Sequence, residues 1–217
     1  MESANVVGYQ NKTITTGFSL STPTFQDIGA DGLNLQNFRL SDTAAGDGTE
    51  MIQFLDAEGQ NTEIWVWLNE NAGQTPGWYD FNTWAPIEKT VDTAVGYLMN
   101  VSATVDISIS GQVKKGSTTV SIPAGFSVRG NSSPTDIDIQ SIKLADTAAG
   151  DGTEMIQFLD AEGQNTEIWI WLNENAGQTP GWYDFNTWAP IEYTVKAGEA
   201  FLINTSAPVD MIIPSAL

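Results

Sequence analysis

The stretch DTAAGDGTEMIQFLDAEGQNTEIWVWLNENAGQTPGWYDFNTWAPIE, Asp42 to Glu88, returns from Asp146 to Glu192. Over its 47 positions the two copies differ once, at Val66 and Ile170. All eight tryptophans fall inside the copies, four in each. A repeat of about 104 residues in a chain of 217 predicts two like units, 1–112 and 113–217, each large enough for one core of its own.

Within the block, Glu50-Met-Ile-Gln-Phe-Leu and Thr62-Glu-Ile-Trp-Val-Trp-Leu flank Asp56-Ala-Glu-Gly-Gln-Asn. Two β-rich runs around a short glycine-containing link predict a hairpin. Asn69 to Gly77 reads as a polar loop, and Trp78 to Phe81 as a short aromatic strand. Pro86 bars a central strand where it stands.

Outward from the block, Val6–Ile14 and Lys114–Ile122 read as opening strands. Leu33–Leu40 and Ile137–Leu144 alternate apolar and polar, predicting half-buried strands with Leu33, Leu35, Ile137 and Ile139 inward. Tyr97–Val101 with Val105–Ile109, and Phe201–Thr205 with Val209–Ile213, close the units. No stretch has a sustained helical period. Seven or eight short strands per copy predict an all-β chain of two tandem antiparallel β-sandwich, or barrel-like, repeats related by internal duplication. No linker separates the copies, so the units are expected to be closely coupled.

Composition narrows function. Against 27 acidic residues stand 8 basic ones, a net charge of −19 shared between the halves. Nucleic acid needs clustered lysine and arginine, so it is an unexpected partner, and anionic membrane surfaces are disfavoured for the same reason. Cysteine and histidine are absent, which removes disulfides, thiol chemistry and the commonest general base. No apolar run approaches the length of a membrane-spanning helix, so membrane insertion is not expected. The opening MESAN does not read as a signal peptide. A trimmed mature start and a cytosolic start would both look this way.

The aromatic residues are the first candidate site. In Ile64-Trp65-Val66-Trp67-Leu68, alternation puts Ile64, Val66 and Leu68 on one face and the two tryptophans on the other, about 7 Å apart. Trp78, Tyr79, Phe81 and Trp84 follow; the second copy has Trp169, Trp171, Trp182, Tyr183, Phe185 and Trp188. If the aliphatic face fills the core, the aromatic face is open. Beside Gln60, Asn61, Asn69, Asn71 and Gln74 it would suit a carbohydrate, whose apolar ring face stacks on an indole while amides bond its hydroxyls. Burial in the core or under a lid, and burial between the repeats, are the competing readings. Each buried tryptophan removes about 150–250 Å² from water.

Carboxylates are the second candidate. Asp42, Asp47 and Glu50, with Asp146, Asp151 and Glu154, form oxygen-rich groups of the kind calcium takes. Asp56, Glu58 and Glu63 form a third group, equally explained by a hairpin turn. No other cofactor is expected. No acidic pair stands apart as catalytic, and no serine or threonine has a histidine base, so an enzyme is not expected.

The runs Ile-Gln-x-Leu-Asp-x-x-Gly (156–163), Trp-x-Trp (169–171), Gly-Trp-Tyr-Asp (181–184) and Ala-Gly-Glu-Ala-Phe-Leu-Ile (197–203) resemble tandem all-β repeats of uncharacterised secreted bacterial proteins. The first copy departs from that pattern at Thr93-Ala94-Val95-Gly96. The resemblance implies secretion or a cell-surface location and an all-β fold, with no catalytic residue. The expected function is a non-enzymatic binding module, with a glycan or another surface protein as partner. The alternative is a self-associating structural unit of a surface layer or appendage.

Overall fold

A computed structural model describes residues 7–214 of the chain, so Val6 of the expected first strand lies outside the described residues. The fold is all-β with small antiparallel sheets, and its helical turns are three residues long. Among the described residues the first repeat holds ten strands: β1 Val7–Ile14, β2 Gly17–Ser21, β3 Gly32–Asn34, β4 Phe38–Leu40, β5 Asp47–Leu55, β6 Asn61–Leu68, β7 Gly77–Asp80, β8 Thr90–Asp92, β9 Tyr97–Val101 and β10 Val105–Gln112. They pair as a five-stranded sheet β2-β9-β5-β6-β7, a three-stranded sheet β1-β10-β4 and a two-stranded ribbon β3-β8.

The second repeat follows the same plan. Its strands are β11 Thr118–Ile122, β12 Gly125–Gly130, β13 Ile137–Asp138, β14 Lys143–Leu144, β15 Asp151–Leu159, β16 Asn165–Leu172, β17 Gly181–Asp184, β18 Thr194–Val195, β19 Ala200–Thr205 and β20 Val209–Ile213. The sheets are β12-β19-β15-β16-β17, β11-β20-β14 and β13-β18.

The run Leu33–Leu40, expected as one strand, is broken. The Asn34 side chain accepts from the Gln36 amide and starts a one-turn 3-10 segment, Leu35–Asn37, which carries the chain from the two-stranded ribbon to the three-stranded sheet. The Gln36 amide group then donates to the Trp78 and Ile87 carbonyls at 2.8 and 2.7 Å. Asp138 and Gln140 repeat the device. A side chain that satisfies backbone groups locally competes with strand pairing, and here it ends the strand.

Each repeat has one main core. In the first, Ile52, Trp65, Trp67 and Met99 of the five-stranded sheet share a buried cluster with Ile14, Phe38, Leu40 and Ile107 of the three-stranded sheet. The second core repeats this with Ile156, Trp169, Trp171, Ile203, Ile122, Leu144 and Met211.

The opposite faces of the two five-stranded sheets meet each other. Leu20, Leu55 and Leu98 pack with Val128, Leu159, Ala200 and Leu202 across the repeats. The contact is reciprocal. The Phe18 amide donates to the Ala161 carbonyl and the Phe126 amide to the Ala57 carbonyl, each at 2.8 Å. Thus the β5–β6 hairpin of one repeat caps the first strand of the other repeat's large sheet, and the reverse. Glycine is required at both joints: Gly17 and Gly125 have φ of +100° and +91°, and a Cβ on Gly125 would lie 2.5 Å from the Ala57 oxygen.

Candidate functional site

Alternation along β6 is as expected, but the faces are exchanged. Trp65 and Trp67 point into the main core and are 1% and 2% exposed. Trp78 joins them from β7, with its ring 5.4 Å from that of Trp67 and its Nε1 donating to the Phe38 carbonyl at 2.8 Å. Val66, Leu68 and Tyr79 occupy the other face and are buried there too, with the Tyr79 hydroxyl bonded to the Thr75 carbonyl. Trp169, Trp171, Trp182 and Tyr183 are buried in the same way, Trp182 Nε1 donating to the Ile142 carbonyl at 2.9 Å. The expected open face of Trp65, Trp67, Trp78 and Tyr79 is therefore corrected. Trp65, Trp67 and Trp78 fill the main core together with Leu33, Phe38 and Val91 of the short β3, β4 and β8 strands, while Tyr79 packs on the other face. Lys89 closes its end, its ammonium 5.2 Å from both the Phe54 and Trp65 rings and paired with Glu63 at 2.7 Å.

The carboxylates do not converge either. Among the described residues no three acidic side chains come together as a metal-holding group. The fully buried Glu50 turns back on its own loop, accepting from the Ala45 and Gly46 amides at 2.9 and 3.1 Å. Glu154 does so with Ala149 and Gly150. Asp47 and Asp151 accept from the hydroxyl and then the amide of Thr49 and Thr153, bonds that hold both carboxyls below their ordinary range. Asp42 and Asp146 are exposed outside these loops. Of the expected calcium residues, Asp47, Glu50, Asp151 and Glu154 thus serve as turn-forming acceptors. Asp56 does the same in its hairpin, accepting from the Glu58 and Gln60 amides.

Trp84 and Trp188 stay open. They are 53% and 50% exposed, beside Phe81 and Phe185 at 46% and 50%. All four stand on the turn that leaves β7 or β17. One oxygen of Asp80 accepts from the Asn82 amide, the Thr83 amide and the Thr83 hydroxyl at 3.0, 2.7 and 2.8 Å. The Trp84 amide donates to the Asp80 carbonyl at 2.9 Å. Asp184 builds the same turn. Hydrogen bonds from Thr83 and Thr187, first through the hydroxyl and then through the amide, lower both carboxyl pKa values. Trp84 and Trp188 adopt φ of +57° and +58°, a left-handed conformation costing a large side chain about 1–2 kcal/mol. Strained backbone held by surrounding bonds concentrates at functional sites.

The two turns have different surroundings. Beside Phe185 lies a cleft of about 590 Å³ where Asn165, Glu167 and Asn186 present amide and carboxylate groups. In the first repeat Lys89 neutralises the matching Glu63. In the second, Tyr193 takes the place of Lys89 and donates to Glu199 at 2.6 Å, and among the described residues Glu167 has no ion-pair partner. Within the block, the one substitution lies near these turns. Trp84 Cη2 and Val66 would both be within 4 Å of a Cβ on Gly48, whereas at Gly152 the nearest atom is the Ile170 Cδ1.

No protein-family model matches the chain, and neither a curated protein nor a solved structure matches it.

Proposed function

We propose that the protein is a non-enzymatic, bivalent carbohydrate-binding module of the cell exterior, each repeat built as a β-sandwich with an aromatic turn as its binding element. The observation that carries this reading is the pair of turns holding Phe81 with Trp84 and Phe185 with Trp188, open to solvent and fixed by Asp80 and Asp184. A turn whose backbone is already held in place leaves less to order when a sugar stacks on its rings, which favours binding. The sandwich reading rests on the two sheets of each repeat sharing one buried cluster. The acidic surface favours neutral over anionic glycans.

Intrinsic tryptophan emission, recorded against a panel of neutral oligosaccharides, tests the proposal. At least one member should shift or quench it, and the change should vanish in the double variant W84A/W188A. No response from any glycan overturns it.

A second reading has its own support. Strand β1 is an edge of the three-stranded sheet, and its Val7 and Tyr9 are each 64% exposed. An exposed edge with apolar side chains invites strand pairing with a second copy. Under this reading the protein is a structural assembly unit, and light scattering at rising concentration should show ordered oligomers.

A further inference from the structure

At the reciprocal joint between the repeats lies a second, open cleft, of about 560 Å³, separate from the aromatic turns. Its lining follows the internal duplication. Phe18 faces it from one repeat and Phe126 from the other; Leu98 and Leu202 form its apolar floor; Glu58 and Glu162 stand on the hairpins at its rim. The walls are fixed. A Cβ on Gly59 would lie 3.7 Å from the Phe126 ring, and one on Gly163 would lie 3.4 Å from the Phe18 ring. The hydrogen bonds from the Phe18 and Phe126 amides lock the hairpins onto those strands. Gln53 and Gln157 add amide oxygens as acceptors. Among the described residues, every charged one in the lining is acidic.

We propose that this cleft binds a linear aliphatic polyammonium ligand, such as an α,ω-diamine or a polyamine. A methylene chain matches the leucine floor. An ammonium beside a phenylalanine face gains cation–π attraction, and a nearby carboxylate adds a charge-assisted hydrogen bond. The lining offers each group twice, once from each repeat, so a ligand charged at both ends finds the same partners at both. A neutral sugar would gain no charge attraction from Glu58 and Glu162, and an anion would be repelled by them.

Isothermal titration of the full chain with spermine and a series of α,ω-diaminoalkanes, at physiological ionic strength, tests the proposal. One ligand per chain is expected, with an optimum in chain length. E58Q/E162Q should weaken binding about tenfold or more, the scale of one lost charge-assisted hydrogen bond, while W84A/W188A should not change it. Both rim glutamates are exposed, so the double variant is expected to fold. Any of three results overturns the proposal: no binding; binding without length dependence that magnesium at equal charge reproduces; or undiminished binding by E58Q/E162Q, which would place the ligand elsewhere on the acidic surface.

Discussion

Replacing Gly125 by alanine should destabilise the protein by about 2–3 kcal/mol. Two terms add. At φ +91° an alanine is strained by about 1–2 kcal/mol. Its Cβ would also lie 2.5 Å from the Ala57 oxygen, which must retreat and so gives up the hydrogen bond from the Phe126 amide, worth about 1 kcal/mol. Gly177→Ala is the control. Gly177 has φ +70° with nothing within 4 Å of its Cβ position, so only strain applies, about 1 kcal/mol. Equilibrium urea unfolding followed by tryptophan emission reads the difference. With a slope of about 2–3 kcal/mol per molar, the Gly125→Ala midpoint should fall by about 1 M and that of Gly177→Ala by less than half as much. Gly17→Ala should repeat the Gly125→Ala result, because it meets Ala161 in the same way. If Gly125→Ala is no worse than Gly177→Ala, the reciprocal joint does not hold the repeats together.

Other variants address the core and the turns. Trp78→Phe should cost about 2–4 kcal/mol in urea unfolding, since it opens a cavity and leaves the buried Phe38 carbonyl without its donor, while Trp84→Phe should change stability little. Glu50→Gln should cost about 1–3 kcal/mol, because a carboxamide has only one oxygen to accept from the Ala45 and Gly46 amides. The Asp80 and Asp184 carboxyls titrate below their ordinary value in the folded turn. Their contribution is therefore complete above about pH 3.9 and lost as the pH falls through the lowered folded-state value. The protection factors of the Asn82, Thr83, Asn186 and Thr187 amides, each exchange rate taken against its intrinsic rate at the same pH, should fall on acidification in that window and hold above it.

Much of the local structure was legible in the sequence, since the hairpin, the alternation along β6 and the all-β class all follow from residue type and period. The direction of the faces was not. Period two divides Ile64–Leu68 into two faces without saying which meets the larger core, and here both are buried. The signal was present: Ile-Trp-Val-Trp-Leu is a continuous apolar run, as a strand covered on both sides requires. The carboxylates admitted two readings for a different reason. Aspartate beside glycine and threonine suits a turn acceptor as well as a calcium ligand, and the choice depends on where the backbone amides point. The joint between repeats left little trace, because Phe18 meets Ala161 and Phe126 meets Ala57 only after both repeats have folded. The missing linker between the copies announced close coupling but not which residues make it.

Selective oxidation of the native protein by N-bromosuccinimide, mapped by mass spectrometry with and without an oligosaccharide that alters its emission, tests the central claim most directly. Trp84 and Trp188 should be oxidised first and should be protected by the sugar, while Trp65, Trp67, Trp78 and their counterparts stay intact until the protein unfolds. Oxidation of the core tryptophans at a comparable rate, or free oxidation of Trp84 and Trp188 in the presence of bound sugar, would contradict the account.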